Sequence, residues 1–149
     1  MFLSQLVIGG IMVGLTVCIH AIALDRLIKA LEKCGPAAFR RFRKHWKIPV
    51  LIATVFGVFS AHIVQIWIWA LLYLYVGALP DLEESLYFST STFTTVGYGD
   101  VVITKGWRLL SSFQAANGFI LFGWSTAFIF EIMSKLYQDE AINKTERRK

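Results

Sequence analysis

Thr94-Thr95-Val96-Gly97-Tyr98-Gly99-Asp100 is the stretch from which the rest of this chain is read. Glycines on both sides of one tyrosine permit left-handed or otherwise strained backbone torsions, so that successive carbonyls can point toward a single axis. The carbonyl oxygens of Thr95, Val96, Gly97, Tyr98 and Gly99, with the Thr95 hydroxyl added to the row, would then form stacked rings. Such rings replace the water around a cation while the side chains anchor outside. One chain supplies one quarter of each ring. A single copy of the stretch therefore requires four chains around one axis. A glycine-rich turn between two apolar segments would use the same letters, and the flanking sequence argues against it.

Those flanks are apolar. The chain has 149 residues, of which 56% are hydrophobic, and its mean hydropathy of +0.56 lies above that of ordinary soluble domains. Crossing a hydrocarbon layer of about 30 Å takes about 20 apolar residues as helix. Residues 3–24, 49–76 and 107–133 meet that requirement. Residues 81–93 are too short and too polar to cross. A non-helical backbone at membrane depth is tolerated where protein or water surrounds it, which a re-entrant loop provides. The expected fold class is an all-α membrane protein with three transmembrane helices, a re-entrant short helix and a loop at 94–100, assembled with fourfold symmetry.

Lys and Arg set the expected orientation. Arg26, Lys29, Lys33, Arg40, Arg41, Arg43, Lys44 and Lys47 lie between the first two spans, and Lys135, Lys144, Arg147, Arg148 and Lys149 follow the third. Positive-inside bias makes both regions cytoplasmic and the N-terminus external, in the plasma (inner) membrane. The loop holding Asp81, Glu83, Glu84 and Asp100 then faces outward. The net charge of +5 reads as a topology signal, with no nucleic-acid partner expected. Ala21-Ile22-Ala23 has the spacing of a signal cleavage site, but no basic segment precedes the apolar run, and a retained helix is expected. Cys18 and Cys34 fall in different environments, so no disulfide between them is expected.

Residues 1–24 read as a peripheral N-terminal helix with Gly10 and Gly14 at GxxxG spacing, a face for close approach to the second span. His20 reads as interfacial. The apolar spacing of Leu24, Leu27, Ile28 and Leu31 extends the helix into a basic connector, 25–48, with Gly35-Pro36 expected to end it. Beyond, Phe39, Phe42 and Trp46 share one face while Arg40, Arg41, Arg43, Lys44 and Lys47 cover the remainder. That pattern suits an interfacial helix on anionic lipid headgroups. A voltage sensor would need its arginines inside an apolar span, and these lie outside one.

In the second span Tyr73 and Tyr75 are placed for the outer aromatic belt. His62, near its middle, is expected to be structural, bonded to Gln65 or Asn117, although an ionisable group there is a modulatory candidate by default. Asp81 should cap the short helix, with Glu84 three residues on. Thr104 should cap the third span.

The segment from Val50 to Met133 resembles the minimal pore domain of potassium channels, in the order outer helix (49–76), pore helix (81–93), selectivity filter (94–100) and inner helix (107–133). The pore domain so read spans 49–133, with a basic cytoplasmic tail at 134–149. The resemblance implies a homotetramer that passes K+, bound at Thr95, Val96, Gly97, Tyr98 and Gly99, with Thr94 and Asp100 bracing the loop. It implies a hinge at Gly118, and Gly123 offers a second flexible point. Where many members of that family have pore-helix tryptophans this chain has Tyr87 and Phe88, and Ser91 stands where some carry a carboxylate, so Tyr87 and Ser91 are expected to support the filter from the pore helix. The match to the family's inner helix also turns the face of Phe119, Phe122, Thr126 and Phe130 toward the pore, making Phe122, Thr126 and Phe130 the candidate inner gate. Glu131, turned about 100° from Phe130, is expected to pair with Lys135 or flank the inner mouth. No cofactor beyond the permeant ion is expected. An enzyme is disfavoured by the lack of a nucleophile–base pair or metal-ligand cluster. The remaining alternative is a non-conducting regulatory or assembly subunit of a larger channel complex.

Overall fold

A computed structural model describes residues 2–42 and 45–146, with side chains described for 2–35 and 45–138. Four helices account for nearly all of it: α1 (Phe2–Phe42), α2 (Lys47–Tyr75), α3 (Leu82–Phe93) and α4 (Arg108–Glu146), the last preceded by a 3-10 turn, Lys105–Trp107. No strand occurs among the described residues. Three stretches, Phe2–Gly35, Lys47–Tyr75 and Lys105–Gln138, are long and apolar enough to cross a membrane. The fold is all-α, with three helices fit to span a membrane.

Local chemistry explains most of the helix ends. Asp81 accepts the Glu84 N–H at 2.9 Å through Oδ1, so the expected cap on α3 is present. At the end of α2, Gly77 takes φ +64°. The Ala78 N–H reaches Tyr73 O (2.9 Å) and the Gly77 N–H reaches Leu74 O (3.1 Å), a Schellman closure that only a residue tolerant of positive φ forms without strain. Two expected ends differ. Gly35-Pro36 does not stop α1, which runs on to Phe42. Proline's φ is itself helical, and the carbonyl it leaves without a partner belongs to Glu32, an exposed residue that water can reach. Thr104 makes no side-chain cap; its carbonyl instead accepts the Trp107 N–H at 2.9 Å. Beyond Met133, α4 continues as helix to Glu146.

The chain forms two compact units. The first, Met1–Ile22 with Ser60–Phe122, holds a core of Met12, Trp69, Tyr73, Leu79, Phe88, Phe93, Leu110 and Leu121. Here α1 packs against both α2 and α4. Gln5 Oε1 accepts the Leu109 N–H (3.0 Å), and Asn117 Nδ2 donates to Thr16 Oγ1 (2.7 Å). The glycine that admits close approach is Gly9, where an added Cβ would strike the Phe113 ring. Gly10 and Gly14 face open space, so the GxxxG face is not the contact. In the second unit, Ala23–Phe59 with Gly123–Lys149, Gly57 of α2 receives the Leu27 side chain of α1.

Candidate ion-conduction site

Residues 94–100 leave the C-terminal end of α3 in an unusual backbone state. Thr95, Gly97 and Gly99 take φ of +61°, +53° and +81°, while Val96 and Tyr98 between them do not take positive φ. In an ordinary extended strand successive carbonyls face opposite sides; inverting φ at every second residue turns alternate peptide planes over, so the carbonyls can line one side. Glycine adopts such torsions freely. Thr95 is β-branched, and holding it there costs about 1–3 kcal/mol, a strain that persists only where the surroundings impose it.

The surroundings do so through hydrogen bonds. The N–H groups of Thr94 and Thr95 donate to Thr90 O and Thr92 O, each at 3.0 Å, and those of Val96 and Gly97 both donate to Ser91 O, at 2.9 and 3.1 Å. Four consecutive loop amides are thus tied back to the last turn of α3. No hydrogen bond to the carbonyls of Thr95, Val96, Gly97, Tyr98 or Gly99 is formed among the described residues. Residues 95–100 are exposed in the single chain. The arrangement is a row of accessible carbonyl acceptors backed by satisfied donors, with the negative end of the α3 dipole behind it.

The side-chain braces are partly those expected. Tyr87 donates its hydroxyl to Asp100 Oδ2 at 2.6 Å, and the Val101 N–H donates to Asp100 Oδ1 at 3.0 Å, so Asp100 is held from both sides. Thr94 Oγ1 donates to Thr90 O at 2.8 Å. Ser91 contributes through its carbonyl; its hydroxyl donates to Phe88 O at 3.1 Å.

The Tyr87 hydroxyl holds the Asp100 carboxyl below the usual carboxylate range, and the same bond raises the Tyr87 hydroxyl above the usual phenol range. The sign follows. A depressed carboxyl pKa means the bond's contribution is complete above pH 3.8 and is lost as pH falls through the lower folded value. Acidifying the solution that bathes Asp100 from pH 8 to pH 5.5 should therefore leave the amide protection of the 94–100 loop unchanged in the parent protein, whereas Tyr87→Phe should lower that protection at every pH in that range. Equal protection in parent and variant would contradict it.

A sequence model described as ion channel matches residues 57–135, more than half of the chain. The chain belongs to the ion channel family. Comparisons with curated proteins and with solved structures returned no match. The channel is an integral membrane protein, and the matched segment contains the 94–100 loop, α3 and most of α2 and α4.

Elsewhere in the channel, helix packing rearranges several sequence expectations. Tyr73 is not in an interfacial belt: it is fully buried and donates its hydroxyl to Gln114 Oε1 at 2.7 Å. Gln114 Nε2 in turn donates to Ser89 Oγ (2.7 Å), and Ser89 Oγ donates to Ile66 O (2.7 Å), pinning the back of α3 to α2 and α4. His20 is fully buried, not interfacial. His62 lies 3.2 Å from Gln65 Oε1 through Nδ1, the first of its two expected partners; Asn117 bonds Thr16 instead. Gly118 of α4 sits where an added Cβ would collide with the Phe93 carbonyl oxygen, while Gly123 has open space. Phe119 and Phe130 are exposed in the single chain, as is Thr126, and Phe122 is half-buried. Glu131 pairs with Lys135 at 3.3 Å, as its spacing suggested, with both side chains largely exposed. Lys47 stands 3.8 Å from the centre of the Tyr137 ring. Of the other basic residues read as lipid-facing, Arg43 and Lys44 lie outside the described residues, as do the side chains of Arg40 and Arg41.

Proposed function

We propose that this protein is a K+-selective channel, a homotetramer in which four copies of residues 95–99 stack their carbonyls into rings that replace the ion's hydration shell. The observation that carries the reading is the alternation of positive φ at Thr95, Gly97 and Gly99. It acts together with the loop amides' bonds back to α3, which leave the carbonyls as the available acceptors. K+ occupies sites made by Thr95, Val96, Gly97 and Tyr98, with Gly99 at the outer edge. Conduction is passive, and no cofactor takes part. In this reading the filter faces outward and the C-terminus lies in the cytoplasm, an orientation that the positive-inside bias supports, with the channel in the plasma membrane. Purified protein in liposomes should admit Rb+ and K+ and exclude Na+; equal Na+ and K+ uptake would refute the reading, and absence of any flux would favour an auxiliary subunit.

The inner gate in this reading is formed by Thr126 and Phe130 on α4, with Gly118 or Gly123 as the bend; Phe122, which the spacing put on the same face, instead packs against His62 and Phe93. Four Phe130 rings would make an apolar constriction that stops ions by dewetting. Phe130→Ala should raise open probability or conductance, and Phe130→Asp should wet the ring outright. Single-channel records identical to the parent in both variants would move the gate to the filter.

The basic run of Arg40, Arg41, Arg43, Lys44 and Lys47 binds anionic headgroups in the same reading. Neutralising Arg40, Arg41 and Arg43 together should weaken the dependence of open probability on anionic lipid. A parent channel indifferent to lipid charge would rule that out.

A further inference from the structure

Two imidazoles lie in the interior of the first unit, one on α1 and one on α2. His20 is fully buried and His62 is nearly so. A single amide bridges them: Gln65 Nε2 is 3.0 Å from His20 Nδ1, and Gln65 Oε1 is 3.2 Å from His62 Nδ1. Gln65 Nε2 also lies 3.4 Å from Thr16 O, which fixes the amide against α1. An amide oxygen only accepts and an amide nitrogen only donates, so His62 Nδ1 carries its hydrogen and His20 Nδ1 presents its lone pair. The rings also stack, with centroids 5.1 Å apart and planes inclined by 26°.

The contact continues toward the filter. The His62 ring meets Phe122 at 4.7 Å and Phe93 at 5.7 Å, and Phe93 meets Phe122 edge-on at 5.5 Å. Phe93 is fully buried and is the last residue of α3, so the next residues in the chain are Thr94 and the strained Thr95. On its other side, the Phe93 carbonyl rests on Gly118. One residue before Gly118, Asn117 is bonded to Thr16 of α1. The first helix therefore touches both supports of the Phe93 seat.

We propose that α1 is a working part of the conduction apparatus: His20 positions Phe93, and with it the filter, acting through Gln65 and His62. This rests on the reading of residues 95–99 as the filter. Apolar side chains would hold α1 against α2 at no desolvation cost, because lipid-facing and protein-facing surfaces are both apolar in a membrane. What the polar pair adds is a fixed ring plane. Hydrogen bonds at both Nδ1 atoms lock the two imidazoles in orientation, and a ring locked in orientation defines where Phe93 sits. Displacements of about 1 Å matter where a row of ligands must match an ion.

The test uses the full-length purified channel in planar bilayers, with K+, Rb+ and Na+ as the permeant probes. The parent is measured first: failure to prefer K+ over Na+ overturns the filter reading and this proposal together. Given that preference, His20→Ala should shift the Rb+/K+ permeability ratio by about two- to threefold. His62→Leu should shift it in the same direction, and the double variant should fall short of the product of the two, because both act on one path. His20→Gln keeps an acceptor for Gln65 but loses the ring stack, so it should shift the ratio in the same direction by less. If His20→Ala only lowers the yield of folded protein while the surviving channels keep the parental ratio, α1 is merely scaffolding and the proposal is overturned. If His20→Ala yields no protein, His20→Gln decides: a shifted ratio supports the proposal, and a parental ratio overturns it.

Discussion

Gly97→Ala is expected to abolish selective current while leaving the protein inserted in the membrane. Gly97 sits at φ +53° with open space where a Cβ would go in the single chain, so the obstacle is the backbone torsion itself. An L-residue held in the left-handed region costs about 1–2 kcal/mol, and in the proposed homotetramer that cost recurs in each of the four chains at a single ring. The loop escapes by returning residue 97 to negative φ, which turns its peptide plane over and removes one carbonyl from the row. Insertion depends on the three apolar spans, none of which includes residue 97. Normal amounts of protein in the membrane with no K+-selective current is the expected pair of results. A variant with the parental K+/Na+ permeability ratio would contradict it.

Gly118→Ala is expected to be the most damaging single methyl on α4. The added Cβ would meet the carbonyl of Phe93, which is backbone and cannot rotate away. Forced overpacking of this kind costs typically about 1–3 kcal/mol, and here it is relieved only by pushing the end of α3, and the loop after it, away from α4. Both thermal stability and K+ over Na+ discrimination should fall. Gly123→Ala is the control: nothing lies within contact of its added Cβ, and alanine favours helix over glycine by up to about 1 kcal/mol. Stability should hold there, and any change should be confined to open probability if Gly123 is a bend. A Gly118→Ala channel with parental stability and selectivity, altered only in open probability, would favour a pure hinge at 118 over a packing contact.

Features governed by neighbouring residues along the chain were legible in advance. The lengths of the apolar runs set the three spans, Asp81 and Glu84 marked the start of α3, and the Gly97-Tyr98-Gly99 run announced a backbone that leaves ordinary torsions. Thr95 is instructive because nothing in its side chain asks for φ +61°; the bonds from Thr94 through Gly97 into the last turn of α3 impose it. Ser91 was expected to support the loop, yet the atom that does so is its carbonyl, which every residue possesses.

What escaped the sequence concerns which side of a membrane helix meets protein. In a soluble helix the buried stripe is apolar and the other face polar, so periodicity reveals it. In a membrane both faces are apolar, and the contrast disappears. His20 and Tyr73 were misplaced for that reason: each lies in a stretch that is apolar all round, and only the packed structure shows them facing a neighbouring helix. The polar residues were the usable signal. Thr16, His20, His62, Gln65, Gln114 and Asn117 are all buried inside the first unit, where an unpaired polar group would be costly, and their spacing along α1, α2 and α4 traces the contact faces.

In the proposed channel the carbonyl row of residues 95–99 selects K+. The most direct measurement is the reversal potential of the purified channel in a planar bilayer with K+ on one side and an equal concentration of Na+ on the other. The reversal should be displaced far from zero in the sense that K+ alone carries the current, and Gly97→Ala should lose that displacement. A parent channel that reverses near zero under these conditions, passing Na+ as readily as K+, would contradict it.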